Sequence, residues 1–172
     1  MRIQIFLNDE DYIAYNIAFQ FQTPQGRKAV TINRWLTPVL SILLLLIFWL
    51  ADFKSYLLIG EAVVLTGLSI YSVLTTEKRI KKRIRSQIGQ MKTQGKLPYE
   101  NEGMLEVMED ALMEYTPSTT KRIAWSEITQ LLYDEEHIFL MFSAIQAAIV
   151  PYRCLGPMRE PFIAYVRQRT GL

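Results

Sequence analysis

The chain has 172 residues, of which 19 are lysine or arginine and 17 are aspartate or glutamate, for a formal net charge of +2. Half of the residues are hydrophobic, which excludes a disordered chain because such chains are poor in apolar residues. The near-neutral charge argues against a general nucleic-acid binder. A single cysteine, Cys154, excludes a disulfide framework, and with one histidine, His137, no multi-ligand zinc site is expected.

Two apolar segments dominate the first half of the sequence. Residues 35–51 carry no charge, and residues 56–74 carry only Glu61. Because a bilayer core of ~30 Å needs about 20 helical residues, both segments are predicted to be transmembrane helices, joined by the link 52–55. Pro38 would then lie in the first turn of the first helix, where its missing N–H costs little. The alternative, a buried helical hairpin in a soluble core, needs more covering material than this chain contains.

Basic residues on either side of the hairpin predict its orientation. Arg27, Lys28 and Arg34 precede it, and six cations follow it within eight positions, whereas the link contains only Lys54. The six are Lys78, Arg79, Lys81, Lys82, Arg83 and Arg85. Since lysine and arginine are retained on the cytoplasmic side, both termini are expected in the cytoplasm. No basic stretch followed by an apolar run opens the sequence, so we expect no cleavable signal peptide.

The arm before the hairpin, residues 1–34, is predicted to contain a strand and a helix. Residues 2–7 have the pattern of a short strand, and residues 8–11 supply an N-cap and an acidic first turn for the helix. That helix is apolar over much of its surface, so it should pack against protein or the membrane interface. Residues 24–26, Pro-Gln-Gly, are expected to end it.

The connector after the hairpin, residues 77–96, is predicted to be a helical extension with a formal charge of +7. Its apolar residues form one helical stripe: Ile80, Ile84, Ile88 and Met91. One interpretation is a basic helix that binds anionic lipid. The other is a flank that only fixes topology, with its isoleucines packed on the N-terminal helix. The remaining segment, 97–172, carries a charge of −5, which favours docking on this connector or binding a protein.

The C-terminal segment, residues 97–172, changes to a period of two, which indicates β-strands. The predicted strands are residues 104–109, 111–116, 121–125, 129–134, 137–142 and 146–150. The expected core positions are Ile123, Trp125, Leu131, Tyr133, Ile138, Leu140 and Phe142. Residues 160–169 form a closing amphipathic helix. The predicted fold class is α+β: a transmembrane hairpin plus a bent antiparallel sheet or barrel capped by one C-terminal helix.

Short motifs at both ends of the chain resemble those of a known family. They are Asp11, Tyr12, Asn16 and Pro24 in the arm, and residues 123–128, 131–134, 137–141 and 150–153 in the C-terminal segment. In these motifs and in its order of elements the chain resembles the YcxB-like family of bacterial membrane proteins. The resemblance implies a bacterial inner (plasma) membrane location and a C-terminal domain like a pleckstrin-homology (PH) fold. It implies no activity.

Residues that could carry chemistry are few. No glycine-rich phosphate loop occurs. His137 is explained by a turn and a strand, Cys154 by a small half-buried hydrophobe, and Ser126 by the N-cap of a short helical turn. Glu135 and Glu136 are adjacent and would point to opposite faces of a strand. We therefore expect no catalytic, cofactor or metal site, and no enzymatic activity.

Glu61 is the intramembrane candidate, because an ionisable group inside a span is costly. It could reach the outer interface or bond within the hairpin, contact another protomer, or handle protons or ions. Gly60 and Gly67 lie on nearly one helix face and would admit close packing against the first helix or a second copy.

Two classes of function compete at this point. The first is a membrane-anchored, non-enzymatic interaction or sensing module. Its PH-like domain would bind a protein partner, while the hairpin and connector contact lipid. The second is a small oligomeric, transport-related or ion-coupled membrane protein that uses Glu61. Neither involves nucleic acid.

Overall fold

The computed structural model of the protein describes residues 1–51, 55–95, 97 and 99–172. Over these residues the chain divides into two units. The β unit comprises residues 1–19 and 84–172, and the helical unit comprises residues 20–83. The N-terminal strand therefore belongs to the same unit as the C-terminal segment. The link residues 52–54, with Lys54, lie outside the described residues.

Three helices follow the N-terminal strand along the chain: α1 (Asp9–Gln22), α2 (Pro24–Leu50) and α3 (Ser55–Thr93). Thr23 caps α2, since its hydroxyl oxygen accepts a hydrogen bond from the Gly26 backbone N–H at 3.0 Å, and Pro24 occupies the first turn. Pro24 thus begins a new helix immediately after α1 ends. The early start of α2 corrects the prediction for Pro38, which lies inside the helix, where its ring removes the N–H that would bond to the carbonyl of Arg34.

Helix α3 is continuous over 39 residues, or about 58 Å at 1.5 Å per residue. It contains the whole second apolar segment and continues through most of the connector. The prediction of a helical extension is therefore confirmed.

Seven strands of the β unit form two antiparallel sheets. The first sheet has the order β1 (Arg2–Phe6), β2 (Glu102–Val107), β3 (Ala111–Tyr115), β4 (Thr120–Ala124). The second has the order β5 (Gln130–Tyr133), β6 (His137–Met141), β7 (Ala147–Pro151). All seven predicted strands are present to within two residues. A short helix α4 (Tyr152–Leu155) and the C-terminal helix α5 (Arg159–Thr170) follow.

Strand β1 is the edge strand of the first sheet, although the hairpin separates it from β2 in sequence. Ile3 pairs with Leu105 across the ladder, and both are buried. The Arg2 guanidinium lies 2.7 Å from the Glu106 carboxylate, and the N-terminal amine donates to the Val107 carbonyl at 3.1 Å. The first strand of this sheet thus precedes the hairpin, and the second follows it.

The main core lies between the two sheets and α5. Its buried side chains include Ile3, Leu105, Leu112, Ile123, Ile138, Leu140, Val150, Phe162 and Val166. The short 3-10 turn Trp125–Glu127 separates β4 from β5, and over the described residues the sheets do not join into a closed barrel. This corrects the barrel alternative. Ser126 lies within that turn, with Ala124 at its N-cap, so the predicted capping by Ser126 is wrong.

The second sheet is buried on both faces. Tyr15 and Ala18 of α1 pack with Leu132, Phe139 and Met141 on the face turned away from the main core. Leu132 is therefore buried while Leu131 is only partly so, because α1 covers the face that alternation alone assigns to solvent. Of the two predicted environments for α1, packing on protein is the one observed.

In the helical unit, polar side chains join α2 to α3. Ser69 donates to Ser41 at 3.1 Å and Ser72 donates to Thr37 at 3.0 Å. An Arg34–Glu77 ion pair at 2.9 Å continues the series, whose numbering shows that the helices are antiparallel. Large apolar side chains point outward from both helices, among them Val39, Ile42, Trp49, Leu50, Ile59, Val63, Val64 and Leu74.

Candidate ligand-binding site

A cluster of charges, which we call the clasp, consists of Asp11, Asp134, His137 and Arg153, of which Asp11 and His137 are buried and Arg153 is exposed. Asp11, at the start of α1, is 2% exposed. Its carboxylate accepts two hydrogen bonds from the Arg153 guanidinium, at 2.6 and 2.5 Å, and one from the Asn8 backbone N–H at 2.7 Å. Burial would raise the pKa of Asp11, but these bonds and one to His137 outweigh it and hold that pKa well below its usual range.

His137 fills the centre of the clasp. Its Nε2 lies 2.8 Å from Asp11 Oδ1, and its Nδ1 lies 2.8 Å from Asp134 Oδ1. Burial lowers the pKa of the imidazole, but hydrogen bonds to the two carboxylates outweigh it, so the pKa is raised. Both ring nitrogens are therefore engaged, and the charged imidazolium satisfies both partners.

The clasp joins segments that are far apart in sequence. Arg153, in α4, binds Asp11 and also donates to the Phe6 carbonyl at the end of β1, at 2.7 Å. Asp134 and His137 stand at either end of the β5–β6 turn. One charge network therefore holds the N-terminal strand and helix against the second sheet.

A cavity of about 600 Å³ opens elsewhere in the β unit. Three connections border it: the segment before β2, the β3–β4 turn and the β6–β7 loop. Its apolar lining includes Ile5, Leu7, Leu97, Met104, Leu105, Phe142, Ile145 and Ile149. No residue of α4 or α5 lines it, so the cavity is distinct from the end of the core that α5 covers. Its volume is in the range of small-molecule sites.

Tyrosines form one side of the cavity lining. The rings of Tyr12 and Tyr99 stack with centroids 5.3 Å apart, and Tyr15 lies 6.0 Å from Tyr12. The Tyr15 hydroxyl donates to the Ile145 carbonyl at 2.7 Å, and the Tyr99 hydroxyl donates to Asp9 at 2.5 Å. Burial raises the pKa of Tyr15 to about 12, so its hydroxyl is neutral at physiological pH.

Three carboxylates also line the cavity: Glu100, Glu102 and Glu114. Glu100 accepts hydrogen bonds from the backbone N–H and the hydroxyl of Ser118, which lower its pKa. Burial raises the pKa of Glu114, against the opposing effect of Lys121 and with a further contribution from Glu100. No lysine, arginine or histidine is among the described residues that line the cavity. Its lining is therefore aromatic, apolar and acidic.

The six cations that are candidates for contact with anionic lipid or for fixing topology are exposed on α3: Lys78, Arg79, Lys81, Lys82, Arg83 and Arg85. Arg79 donates to the Ser72 hydroxyl at 2.7 Å, and the Lys81 ammonium lies 5.8 Å from the Phe21 ring centroid. In the β unit, Arg85 lies 3.5 Å from Glu10 and Lys92 pairs with Asp9. The observed acidic partners of the connector are thus at the start of α1, outside residues 97–172.

The three candidates in the second apolar segment, Gly60, Glu61 and Gly67, have different surroundings in the structure. One carboxylate oxygen of Glu61 is buried and has no hydrogen-bond partner among the described residues. A Cβ at Gly60 or Gly67 would meet no described atom within 4 Å, so neither glycine makes a close contact with α2. A glycine seam would then require a second copy, and that part stays a prediction.

The sequence did not reveal the main features of either the clasp or the cavity. For the clasp, Asp11 and Arg153 were treated as unrelated motif residues, and for the cavity, Glu114 and Tyr99 were not singled out. The available signal was the one histidine with Asp134 three residues before it, which marks a local carboxylate–imidazole pair. Nothing local indicates that Asp11, 126 residues away, completes it.

The fold and cavity define an α+β protein with a ligand-sized site and two helices long and apolar enough to cross a membrane. Residues 107–161 match the family model of the YcxB-like proteins, which confirms the resemblance over that range. The range contains Asp134, His137 and Arg153 of the clasp but not Asp11. Neither the curated proteins nor the solved structures searched contain a match to the chain.

Proposed function

We propose that this is an integral membrane protein whose hairpin, formed by α2 and the first half of α3, anchors a cytoplasmic, non-enzymatic interaction or sensing module. The observation that carries the proposal is the outward-facing apolar surface of the hairpin. Ile42, Leu50 and Leu74 are 68%, 69% and 74% exposed, whereas Ser41, Ser72 and Thr76 are buried. Water-soluble monomers rarely expose contiguous apolar patches of this extent.

The proposed orientation places both termini in the cytoplasm. It rests on the basic residues at both helix ends away from the link, where α2 begins and where α3 leaves the apolar segment. The cytoplasmic membrane of a bacterium is the proposed location, in line with the family resemblance.

Cysteine labelling in a Cys154→Ser background tests membrane integration and orientation. The variant Ser55→Cys should react with a membrane-impermeant maleimide in intact cells, and Ser86→Cys only after permeabilisation. The full chain should also resist extraction by alkaline carbonate. Release by carbonate would refute the anchor, and reversed labelling would refute the orientation.

We propose that anionic lipid contacts the basic connector. A groove of about 370 Å³ in the helical unit supports this, because it is lined by guanidinium, amide and hydroxyl groups that suit a headgroup phosphate. These belong to Asn33, Thr37, Thr76, Arg79 and Arg83. Native mass spectrometry should find phosphatidylglycerol retained by the wild type and depleted in Arg83→Gln. Equal retention would refute lipid binding by this groove.

The β unit is proposed to be PH-like. Its seven strands in sheets of four and three, with a C-terminal helix packed on the shared core, support this assignment. The first strand comes from the N-terminal arm, so the hairpin is inserted between the first two strands of the domain. A non-enzymatic role is supported by His137, whose two ring nitrogens are both engaged by carboxylates.

Site-specific photocrosslinking tests the interaction role without disturbing this assembly. Deleting residues 97–172 would remove the pairing partner of β1, so point variants are preferable. A photoreactive residue at Ile145, which lines the cavity and is 69% exposed, should give an adduct detected as a mass shift of the purified chain. The matched control is Glu109, exposed and outside the cavity. Equal labelling at both positions, or none, would contradict the proposal.

A second candidate function is favoured by one observation on Glu61. Its buried carboxylate oxygen without a described partner suits an oligomeric, ion-coupled protein in which another copy or an ion completes the site. Two helices alone cannot enclose a pore, so this function requires oligomers. Cross-linking in native membranes tests it, and a strictly monomeric protein would refute it.

A further inference from the structure

We propose that the cavity of the β unit binds a small organic cation with an apolar body, such as an alkyl- or arylammonium compound, held by Glu114. The proposal deepens the sensing role described above and rests on it. It names the chemical class of the ligand, which the family resemblance does not supply.

The size and lining of the cavity favour a small molecule. A volume of about 600 Å³ lies within the range of ligand pockets, whose walls are mostly apolar with a few placed polar groups. The apolar lining would hold the body of the ligand. The stacked pair Tyr12–Tyr99 supplies aromatic surface, which attracts cations through its negative face.

The charge of the lining selects the sign of the ligand. Glu100, Glu102 and Glu114 all line the cavity, with no cationic side chain among the described lining residues. The Ser118 contacts already engage Glu100, and Glu102 is exposed. Glu114 is the carboxylate that burial penalises when it is charged, so an entering cation would be most favourable beside it.

The ammonium group of Lys121 already contacts an aromatic ring and an amide at the edge of the cavity. Lys121 lies opposite Glu114 across β3 and β4 and favours the charged form of that carboxylate from a distance. Its ammonium lies 3.9 Å from the Phe142 ring centroid and 3.1 Å from Gln146 Oε1. Phe142 and Gln146 both line the cavity. An ammonium group is thus already held against the cavity wall, and Glu114 is left for a second one.

The binding should depend on pH in a defined direction. The groups that act on Glu114 are Lys121, which favours its charged form, and Glu100, which opposes it, in addition to burial. Because the charged form binds the cation, affinity should increase as the pH rises through the pKa of Glu114. Protonation of Glu114 at low pH should therefore weaken binding.

The test uses the full chain in dodecyl maltoside micelles, whose uncharged headgroups do not compete. Benzyltrimethylammonium, benzyl alcohol and benzylsulfonate are compared by titration calorimetry and saturation-transfer NMR at pH 7.5 and pH 5. We expect the cation to bind at least tenfold more tightly than the alcohol, with no detectable binding of the sulfonate. Glu114→Gln should reduce cation affinity about tenfold and remove its pH dependence.

Glu109→Gln is the matched control, since Glu109 is exposed and lies outside the cavity, and it should bind as the wild type does. Equal binding of the cation and the alcohol, or a Glu114→Gln variant that binds like the wild type, would overturn the inference but leave an interaction site in place. Tighter binding of the peptide acetyl-Leu-Lys-Leu-amide than of the quaternary cation would also overturn it, in favour of a lysine from a protein. No binding of any probe, together with no Ile145 photoadduct, would reject the cavity as a site.

Discussion

The two units of this protein have opposite distributions of polarity. The β unit buries Ile, Leu, Val and Phe side chains between its sheets and α5, and its buried Asp11 and His137 are paired within the clasp. The helical unit buries Ser41, Ser72 and Thr76 and turns its leucines, isoleucines and tryptophans outward. The first arrangement is stable in water because apolar area is removed from it. The second suits hydrocarbon, where close polar contacts join helices and apolar side chains face lipid.

This contrast predicts different consequences for a charge in each unit. In the β unit a buried charge is tolerated because its partners are supplied from distant segments. In the helical unit an outward charge has no partner, since the surroundings would be lipid. Changing a charged residue should therefore destabilise the β unit by removing an ion pair. Adding a charge to the outward face of the helical unit should instead weaken insertion into the membrane.

The largest effect is expected on removing the central carboxylate of the clasp. Asp11→Ala leaves the buried His137 and the exposed Arg153 without their shared anion, and the cost of breaking a fully buried pair, about 3–5 kcal/mol, is the upper limit because Arg153 remains in contact with water. Thermal unfolding of the full chain in micelles, followed by tyrosine fluorescence, should show the loss. Glu10→Ala is the control, because its exposed 3.5 Å pair with Arg85 contributes at most about 1 kcal/mol. Similar unfolding temperatures for both variants would contradict a stabilising clasp.

The second-largest effect is expected from a charge placed on the outward face of the hairpin. Val64→Arg places a cation on an exposed apolar face within residues 56–74, at a cost of about 2.5–3.5 kcal/mol for insertion. The variant should become extractable by alkaline carbonate or be degraded. Gln87→Arg, at an exposed position later on the same helix, should remain membrane-bound. If Val64→Arg is retained as well as the control, this face does not contact lipid.

The change in stability with pH that the clasp causes should be smaller, since only His137 changes its charge between mildly acidic and alkaline pH. The pKa of His137 is raised above its ordinary value of 6.5, so its contribution is complete below that pH and is lost as pH rises through the higher folded-state pKa. Unfolding temperature should therefore fall between mildly acidic and alkaline pH. In His137→Gln this fall should disappear, and a persistent fall would assign it to another group.

The smallest effect is expected in the polar contacts between α2 and α3. Ser72→Ala removes hydrogen bonds to Thr37 and Arg79, worth about 0.6 kcal/mol on average for such contacts in membranes. Steric trapping or a reversible unfolding assay in micelles should resolve it. Thr66→Ala, at an exposed position of α3, is the control and should be neutral. A larger loss than for Asp11→Ala would mean that polar pairing, and not outward apolar surface, holds the hairpin in place.

Local pattern determined much of this fold. Alternation in residues 2–7 and in the C-terminal segment located all seven strands, and the two apolar runs located both long helices. These features depend on neighbours within a few positions along the chain, which is why sequence alone reveals them. The same reasoning misplaced Pro38, because the polar residues before Trp35 conceal that α2 begins at Pro24 with Thr23 as its cap.

The tertiary structure alone decided where the N-terminal arm packs on the C-terminal segment. Pairing of β1 with β2 joins positions about a hundred residues apart, α1 converts β6 into a strand buried on both faces, and Asp11 reaches His137 and Arg153. The cavity with Glu114 arises in the same way, from connections that only the packed sheets bring together. Sequence thus determined the elements and the two kinds of surface. Their long-range pairing created the clasp and the site, because such contacts leave no periodic signal in the chain.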